Sequence, residues 1–385
     1  MSSDTRVFPE IDVEALENEL RELWRRMAED SRQEGGQALT KACVQNLVVW
    51  APGQGAGTEL SANLAEVTSE HPSRLLLLLP EADSSLSSLS ARVTVQCQAA
   101  GRGRKQVCCE QITVKAEGER IPQLVSVVRP LLVPDLPVVL YWRDTPDPES
   151  RMFLQLVAES SRVILDTRKA ADATSTLARL SQLIQDFPHA AFTDLSWASL
   201  TPWRRLIAGF YDVPGHRKEL ERVAHLELEC GRSYAQQRLP AEPLLLTFWM
   251  AGRLGWHPAA SPIWLDQNHY QVRFKGPRRN IVAEIQLTDS PPGPHSVLLA
   301  TGAEPATSFH VATTEDGAHL EAYTQVGGVG RAVEKLSRTR RRSESYLLAR
   351  ELEVLGHDRV FQQTLSQLRE GDCFSPGKCD QESRR

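Results

Sequence analysis

The chain has 385 residues, enough for two domains, and its 41% hydrophobic and 24% charged content is ordinary for soluble globular protein. A formal net charge of −5 excludes a global positive field that would draw it to nucleic acid or an acidic membrane. The longest strongly apolar run, Leu75 to Leu79, is too short for a bilayer, the first residues lack an apolar signal core, and seven dispersed cysteines do not suit a secreted disulfide framework. The expected location is cytoplasmic.

In chain order, residues 11 to 33 predict a helix, with Val13, Leu16, Leu20, Leu23 and Met27 on one seam and Trp24 beside it. That helix either docks on its own domain or packs on another chain. From Lys41 to about Asp186, short apolar runs alternate with helical ones. Strands are expected at Val44–Trp50, His71–Leu79, Arg92–Gln98, Val107–Val114, Pro137–Trp142 and Arg162–Asp166, with helices between most of them. Two of these strands follow each other directly, so the expected fold is an α/β N-terminal domain, a mixed sheet with flanking helices, over residues 1–200. From Arg222 the pattern changes to a helix at Ala241–Arg253 and several strand-like runs between turn-rich links, closed by a long terminal helix that Gly356 can interrupt. This reads as an α+β C-terminal domain, an antiparallel meander with a long terminal helix, over residues 201–385.

Between the two halves lies Asp194-Leu-Ser-Trp-Ala-Ser-Leu-Thr-Pro-Trp-Arg-Arg-Leu-Ile-Ala-Gly-Phe-Tyr-Asp212. Thr201 as N-cap and Pro202 at the first helical position start a helix there. Trp203, Leu206, Ile207 and Phe210 make its apolar face, and Arg204 and Arg205 fall off that stripe. Trp and Arg are enriched at interface hot spots, so Trp197, Trp203, Arg204 and Arg205 are candidates for either a domain seam or a partner surface.

Reactive chemistry is harder to find. Gly53-x-Gly55-x-Gly57 follows a strand and opens a helix, the context of a phosphate cradle, but it matches neither G-x-G-x-x-G nor a P-loop. Gly327-Gly-Val-Gly330 before Arg331 is a second weak anion seat, and Arg338, Arg340, Arg341 and Arg342 form a basic run that nearby glutamates dilute. No paired histidine or C-x-x-C spacing suggests a metal, no Gly-x-Ser-x-Gly elbow is present, and no catalytic residue or cofactor site is expected. Cys108 and Cys109 are neighbours on a strand and face opposite ways, so they are not expected to bridge each other. Cys373 and Cys379 flank the turn Ser375-Pro-Gly377, which can bring their sulfurs together. They are either a reversible redox pair or two free tail thiols.

Taken together, Gln45-Asn-Leu-Val-Val49, His71-Pro-Ser-Arg74, Cys109-Glu110-Gln-Ile112, Pro130-Leu-Leu-Val-Pro-Asp-Leu-Pro137, Tyr141-Trp142, Ser161-Arg-Val-Ile-Leu-Asp166, Asp194-Leu-Ser-Trp197 and Leu200-Thr-Pro-Trp-Arg204 resemble the glucose-6-phosphate dehydrogenase assembly protein (OpcA) family. The likeness runs in order over about 41–212; Ser196 and Ser199 depart from the family's common Asn and basic residue. The resemblance implies a non-enzymatic allosteric activator that binds glucose-6-phosphate dehydrogenase, promotes its active oligomer and so controls NADPH supply. It also implies thiol redox control with thioredoxin as a further partner, for which Cys373 and Cys379 are the candidates. The alternative reading is a nucleotide- or sugar-phosphate-binding enzyme that uses the Gly53–Gly57 loop.

Overall fold

The computed structural model describes residues 7–8, 11–33, 38–53, 56–82, 84–99, 105–145, 147, 149–234, 237–302, 306–338, 343–354 and 356–370. In chain order the elements are β1 (Val7–Phe8), α1 (Val13–Gln33), β2 (Ala38–Lys41), β3 (Gln45–Trp50), α2 (Ala56–Glu70), β4 (Ser73–Glu81), β5 (Leu89–Ala99), β6 (Lys105–Glu117), α3 (Gln123–Leu131), β7 (Val138–Trp142), α4 (Arg151–Ala158), β8 (Arg162–Leu165), α5 (Ala173–Asp186) and β9 (Ala191–Asp194). Then come α6 (Leu195–Ser199), α7 (Thr201–Gly209), α8 (His216–Leu220), β10 (Val223–Gly231), α9 (Ala241–Leu254), β11 (His257–Pro258), β12 (Ile263–Trp264), β13 (His269–Lys275), β14 (Asn280–Thr288), β15 (Gly293–Thr301), β16 (Thr307–Thr313), β17 (His319–Val326), β18 (Val329–Arg338), α10 (Glu344–Glu353) and α11 (Arg359–Glu370). They form two compact units. One comprises residues 1–165, 187–193 and 343–357; the other comprises 166–186, 194–342 and 358–385.

The first unit is built on a sheet ordered β1-β5-β6-β4-β3-β7-β8-β9, with β2 also pairing β6. Strands β6, β4, β3, β7 and β8 run parallel, while β5 and β1 are antiparallel additions, so the sheet is mixed. Its central strands are covered on both faces, which is why Leu75 to Leu78 can be consecutive leucines, each at most 2% exposed. Chain order runs outward from β3 to β4 and β6 on one side, then returns to β7 and β8 on the other. The reversal lies between β3 and β7. Helix α1 starts at Asp12, whose Oδ1 accepts the Glu14 and Ala15 amides at 3.0 and 3.2 Å, and it buries Leu16 and Leu20 within this unit.

In the second unit the sheet order is β11-β13-β14-β10-β15-β16-β17-β18, with β12 on β13. From β15 to β18 it is an antiparallel meander. The expected purely antiparallel arrangement does not extend through β10, which runs parallel to β14 and antiparallel to β15. The long connection through α9 and β11–β13 permits that parallel pairing, which no tight turn can make. The inner face carries Leu226, Leu228, Ile285, Val297, Leu299, Phe309 and Val311, each at most 1% exposed, against α7, α8 and α9.

Three expectations are corrected. The terminal helix breaks at Gly356, φ 89°, as the sequence allowed, but the resulting α10 and α11 belong to different units and do not together close the second half. Gly327 and Gly328, at φ 59° and 73°, form the two-residue turn of the β17–β18 hairpin, where positive φ at both positions matches the strand twist. Finally, Leu200 rather than Thr201 caps α7, and the Thr201 hydroxyl instead donates to the Ala198 carbonyl at 2.8 Å.

Candidate functional site

The stretch 194–212 lies wholly in the second unit, while the β9 residues before it, 191–193, belong to the first. Asp194 is fully buried and caps α6 by accepting the Ser196 amide at 2.6 Å; it also accepts the Thr167 hydroxyl, which lies 2.9 Å from the Ser196 hydroxyl. Burial pushes the Asp194 carboxyl up to about 7, with the Thr167 and Ser196 hydrogen bonds pulling the other way. Trp197 is 1% exposed, and its Nε1–H donates to Asp358 Oδ2 at 2.7 Å. The other oxygen of Asp358 accepts the Val360 and Phe361 amides, both at 2.9 Å, so one carboxylate fastens Trp197 and starts α11. Arg204 lies with its guanidinium carbon 3.4 Å from the centre of a Trp197 ring, and Phe361 stands 5.4 Å from it on a tilted plane. Trp203 is 5% exposed in the core, whereas Arg205 points to solvent. The two tryptophans therefore hold this segment in place, and Arg205 is the member of the predicted four left outward.

Other motif residues meet as structural pins in the first unit. Arg74 reaches Glu110 at 2.7 Å and Glu17 of α1 at 2.6 Å, and the Trp24 indole donates to Glu110 at 2.7 Å. Burial opposes the Arg74 charge, but Glu110 and Glu17 outweigh it and hold its pKa above the ordinary value. Asn46 donates to the Val133 carbonyl at 3.0 Å and accepts the Val133 amide at 2.8 Å, which ties β3 to the loop after α3. Arg162 pairs with Glu351 at 3.3 Å and donates to the Val354 carbonyl, while Thr193 donates to Glu351 at 2.6 Å.

The reversal between β3 and β7 is where doubly wound sheets take nucleotides. Here the strand ends carry Trp50 and Trp142, opposed in register, stacked at 4.7 Å and 8°, and each 4% exposed. Phe153 packs edge-on at 4.8 Å, and Arg143 beyond Trp142 pairs with Glu344 at 2.6 Å. Gly53 adopts φ 115°, and Gly57 falls in the first turn of α2. Gly55 of this loop lies outside the described residues.

A disulfide joins Cys97 and Cys108, directly opposite each other on β5 and β6, with Cα atoms 4.0 Å apart. Sequence reading missed it by weighing Cys108 only against Cys109. The signal was available: two consecutive strands expected to pair carry these cysteines near the shared turn. Cys109 faces the other side, hydrogen-bonds towards the Thr68 carbonyl, and has its thiol pushed up by burial. Cys373 and Cys379 lie outside the described residues, as do Arg340, Arg341 and Arg342. Among the described residues no group of three or more His, Cys, Asp or Glu is placed to hold a metal, and no helix is long and apolar enough to cross a membrane. An open groove of about 660 Å³ runs between α9 and α11, lined by Trp249, Gly252, Arg253, Arg359, Gln363 and Gln367 among others.

These features define a two-unit α/β protein in which Trp197, Arg74, Asn46 and Arg162 tie separate elements together. The sequence model of the glucose-6-phosphate dehydrogenase subunit N-terminal domain matches residues 64–182, and that of its C-terminal domain matches residues 190–365. The chain belongs to this family, the OpcA family of glucose-6-phosphate dehydrogenase assembly proteins. It is 24% identical over 312 residues to the OxPP cycle protein OpcA of Synechococcus elongatus, covering 78% of this chain and 68% of that one. It is 29% identical over 198 residues to the OpcA of Nostoc punctiforme, a match that covers 51% of this chain and only 40% of the relative's length. Among solved structures, an NAD-binding oxidoreductase from Klebsiella pneumoniae superposes with a TM-score of 0.47 at 10% identity, covering 86% of this chain and 96% of that one. A likeness of that strength carries no functional weight.

Proposed function

We propose that this chain is a non-catalytic, cytoplasmic activator that binds glucose-6-phosphate dehydrogenase and favours its active oligomer. The observation that carries this reading is family membership across both halves of the chain. The stacked, buried Trp50 and Trp142 at the strand ends beside the Gly53–Gly57 loop support it over the alternative of a nucleotide- or sugar-phosphate-binding enzyme built on that loop. An activator must contact the active state of its target better than the inactive one, and only that difference shifts the equilibrium. Within this proposal Trp197 and Trp203 hold the central segment, and Arg204 and Arg205 belong to its contact or seam surface. Cys373 and Cys379 are the proposed thiol switch, with thioredoxin as the proposed reductant.

The deciding experiment mixes the purified chain with its host's glucose-6-phosphate dehydrogenase and follows NADPH production and oligomer size, under reducing and oxidising conditions. Activation or a shift to a larger oligomer is expected. No change in rate, KM or size under either condition refutes the proposal. Tight equilibrium binding of NADP, ATP or glucose 6-phosphate to the isolated chain supports the rival.

A further inference from the structure

Among the described residues of the second unit, its helices pack on one face of its sheet, and the alternate positions are mostly half-buried or exposed, with Gln271 at 8% the most covered of those named below. The sheet's inner positions are buried under α7, α8 and α9, and the alternate positions face outward. Strand pairing arranges these outward residues in rows. One row runs Gln271, Glu284, Glu227, Leu298, His310 and Tyr323; the next runs His269, Gln286, Glu229, Ser296, Ala312 and Glu321. From β13 to β17 this platform measures roughly 700 Å², given ~4.8 Å between strands and ~3.4 Å per residue. That is close to the ~800 Å² each partner contributes to a standard interface.

Its charge is uneven. Glu227 stands directly opposite Glu284 on the neighbouring strand, with Glu229 two residues further along. Like charges this close on neighbouring strands repel each other and weaken the sheet. Glu227 and Glu229 are exposed; Glu229 accepts the Ser296 hydroxyl at 2.9 Å, and Glu284 accepts a Gln271 amide at 2.9 Å with His269 at 3.6 Å. On β13, the strand next to β14, Arg273 Nε donates to Gln271 Oε1 at 2.9 Å, so this cation flanks Glu284 through Gln271, while Glu227 and Glu229 on β10 lie one strand further in. Beside the acids is an apolar and aromatic strip: Leu298, Ala300, Ala312 and the stacked rings of His310 and Tyr323, 4.6 Å apart at 7°.

We propose that this open face is a docking surface for a protein partner, which sets arginine or lysine side chains over Glu227, Glu229 and Glu284 and apolar side chains over the Leu298–Tyr323 strip. A second copy meeting this face about an axis across β10 brings acid against acid, so the charge pattern favours a basic partner surface over that self-association. The identity of that partner as glucose-6-phosphate dehydrogenase rests on the function proposed above.

The test measures binding of the host's dehydrogenase to three forms of the full chain. These are wild type, Glu227→Lys/Glu229→Lys, and a control that moves the same charge elsewhere, Glu149→Lys/Glu315→Lys. Folding is checked by circular dichroism, and Glu227→Gln/Glu229→Gln replaces the reversal if it fails to fold. The expected result is a loss of at least tenfold in affinity for the face variant, within twofold of wild type for the control, and weakening of wild-type binding as salt rises. Binding by the face variant within twofold of wild type, or equal loss in the control, overturns the docking surface while leaving the proposed function standing. A wild-type chain that does not bind the dehydrogenase at all overturns both. A face variant that changes only the chain's own oligomeric state reassigns the face to self-association and overturns the proposal.

Discussion

Asp358 has two tasks, and Trp197→Phe separates them. In the wild type the Trp197 Nε1–H meets Asp358 Oδ2 at 2.7 Å, while Oδ1 caps α11 through two backbone amides. A hydrogen bond to a charged group is worth about 1.5–3 kcal/mol net, and the smaller ring also gives up buried area. Trp197→Phe is therefore expected to cost about 3 kcal/mol. Trp203→Phe, a buried tryptophan without such an acceptor, is expected to cost about 1 kcal/mol from area alone. Asp358→Asn keeps a capping oxygen but presents no second charged acceptor. In a double-mutant cycle, Trp197→Phe and Asp358→Asn should couple by about 1–2 kcal/mol. The measurement is urea unfolding followed by circular dichroism, with the slope of each transition compared so that separate unfolding of the two units is recognised. Coupling below about 0.3 kcal/mol would show that the indole–carboxylate bond contributes nothing and that Asp358 serves only as a cap.

Four further expectations follow. Arg74→Ala leaves Glu110 buried without its cation and should cost about 3–5 kcal/mol, with limited proteolysis cutting around α1 before the sheet; unchanged stability would show the ion network to be idle. For Asp194 the folded pKa of about 7 exceeds the ordinary ~3.9, so the neutral form is favoured by the fold; that stabilisation is complete below about pH 4 and is lost as pH rises to about 7. Asp194→Asn should thus compare better with wild type at pH 8 than at pH 5, and a difference independent of pH would contradict the assignment. Peptide mapping without reductant should recover a fragment linking Cys97 to Cys108, and its absence from air-oxidised protein would rule the bridge out. Gly231→Ala drives a Cβ to 2.2 Å from the Pro291 carbonyl oxygen and should cost at least about 2 kcal/mol; a neutral effect in thermal unfolding would show that this loop yields.

The strands and helices of the first unit were legible because their signals are local. Five consecutive leucines mark a strand covered on both faces, and period changes mark the helices. β1, β2 and β9 were not seen: they have two to four residues and, unlike the apolar Val163–Leu165 of β8, β2 and β9 mix polar residues such as Thr40, Lys41, Thr193 and Asp194 into so short a run. β17 and β18 were hidden for a different reason: glycines read as an anion seat were the turn of their hairpin. The motif residues were recognised, but not their work, since Arg74 with Glu110 and Asn46 with Val133 are separated by 36 and 87 residues and chemistry alone does not pair them. The acidic platform was equally invisible, because its rows exist only once strand register is known.

Six separate stretches of one chain build the two units, so the chain passes between them five times. Arg162 waits for Glu351, a partner made 189 residues later. During synthesis the first unit stays unfinished until residues 343–357 have left the ribosome, with a buried arginine and the Thr193 hydroxyl lacking their shared carboxylate. A stop anywhere before residue 343 removes part of both units at once. Neither unit can therefore be cut out as one continuous segment or traded as an independent module.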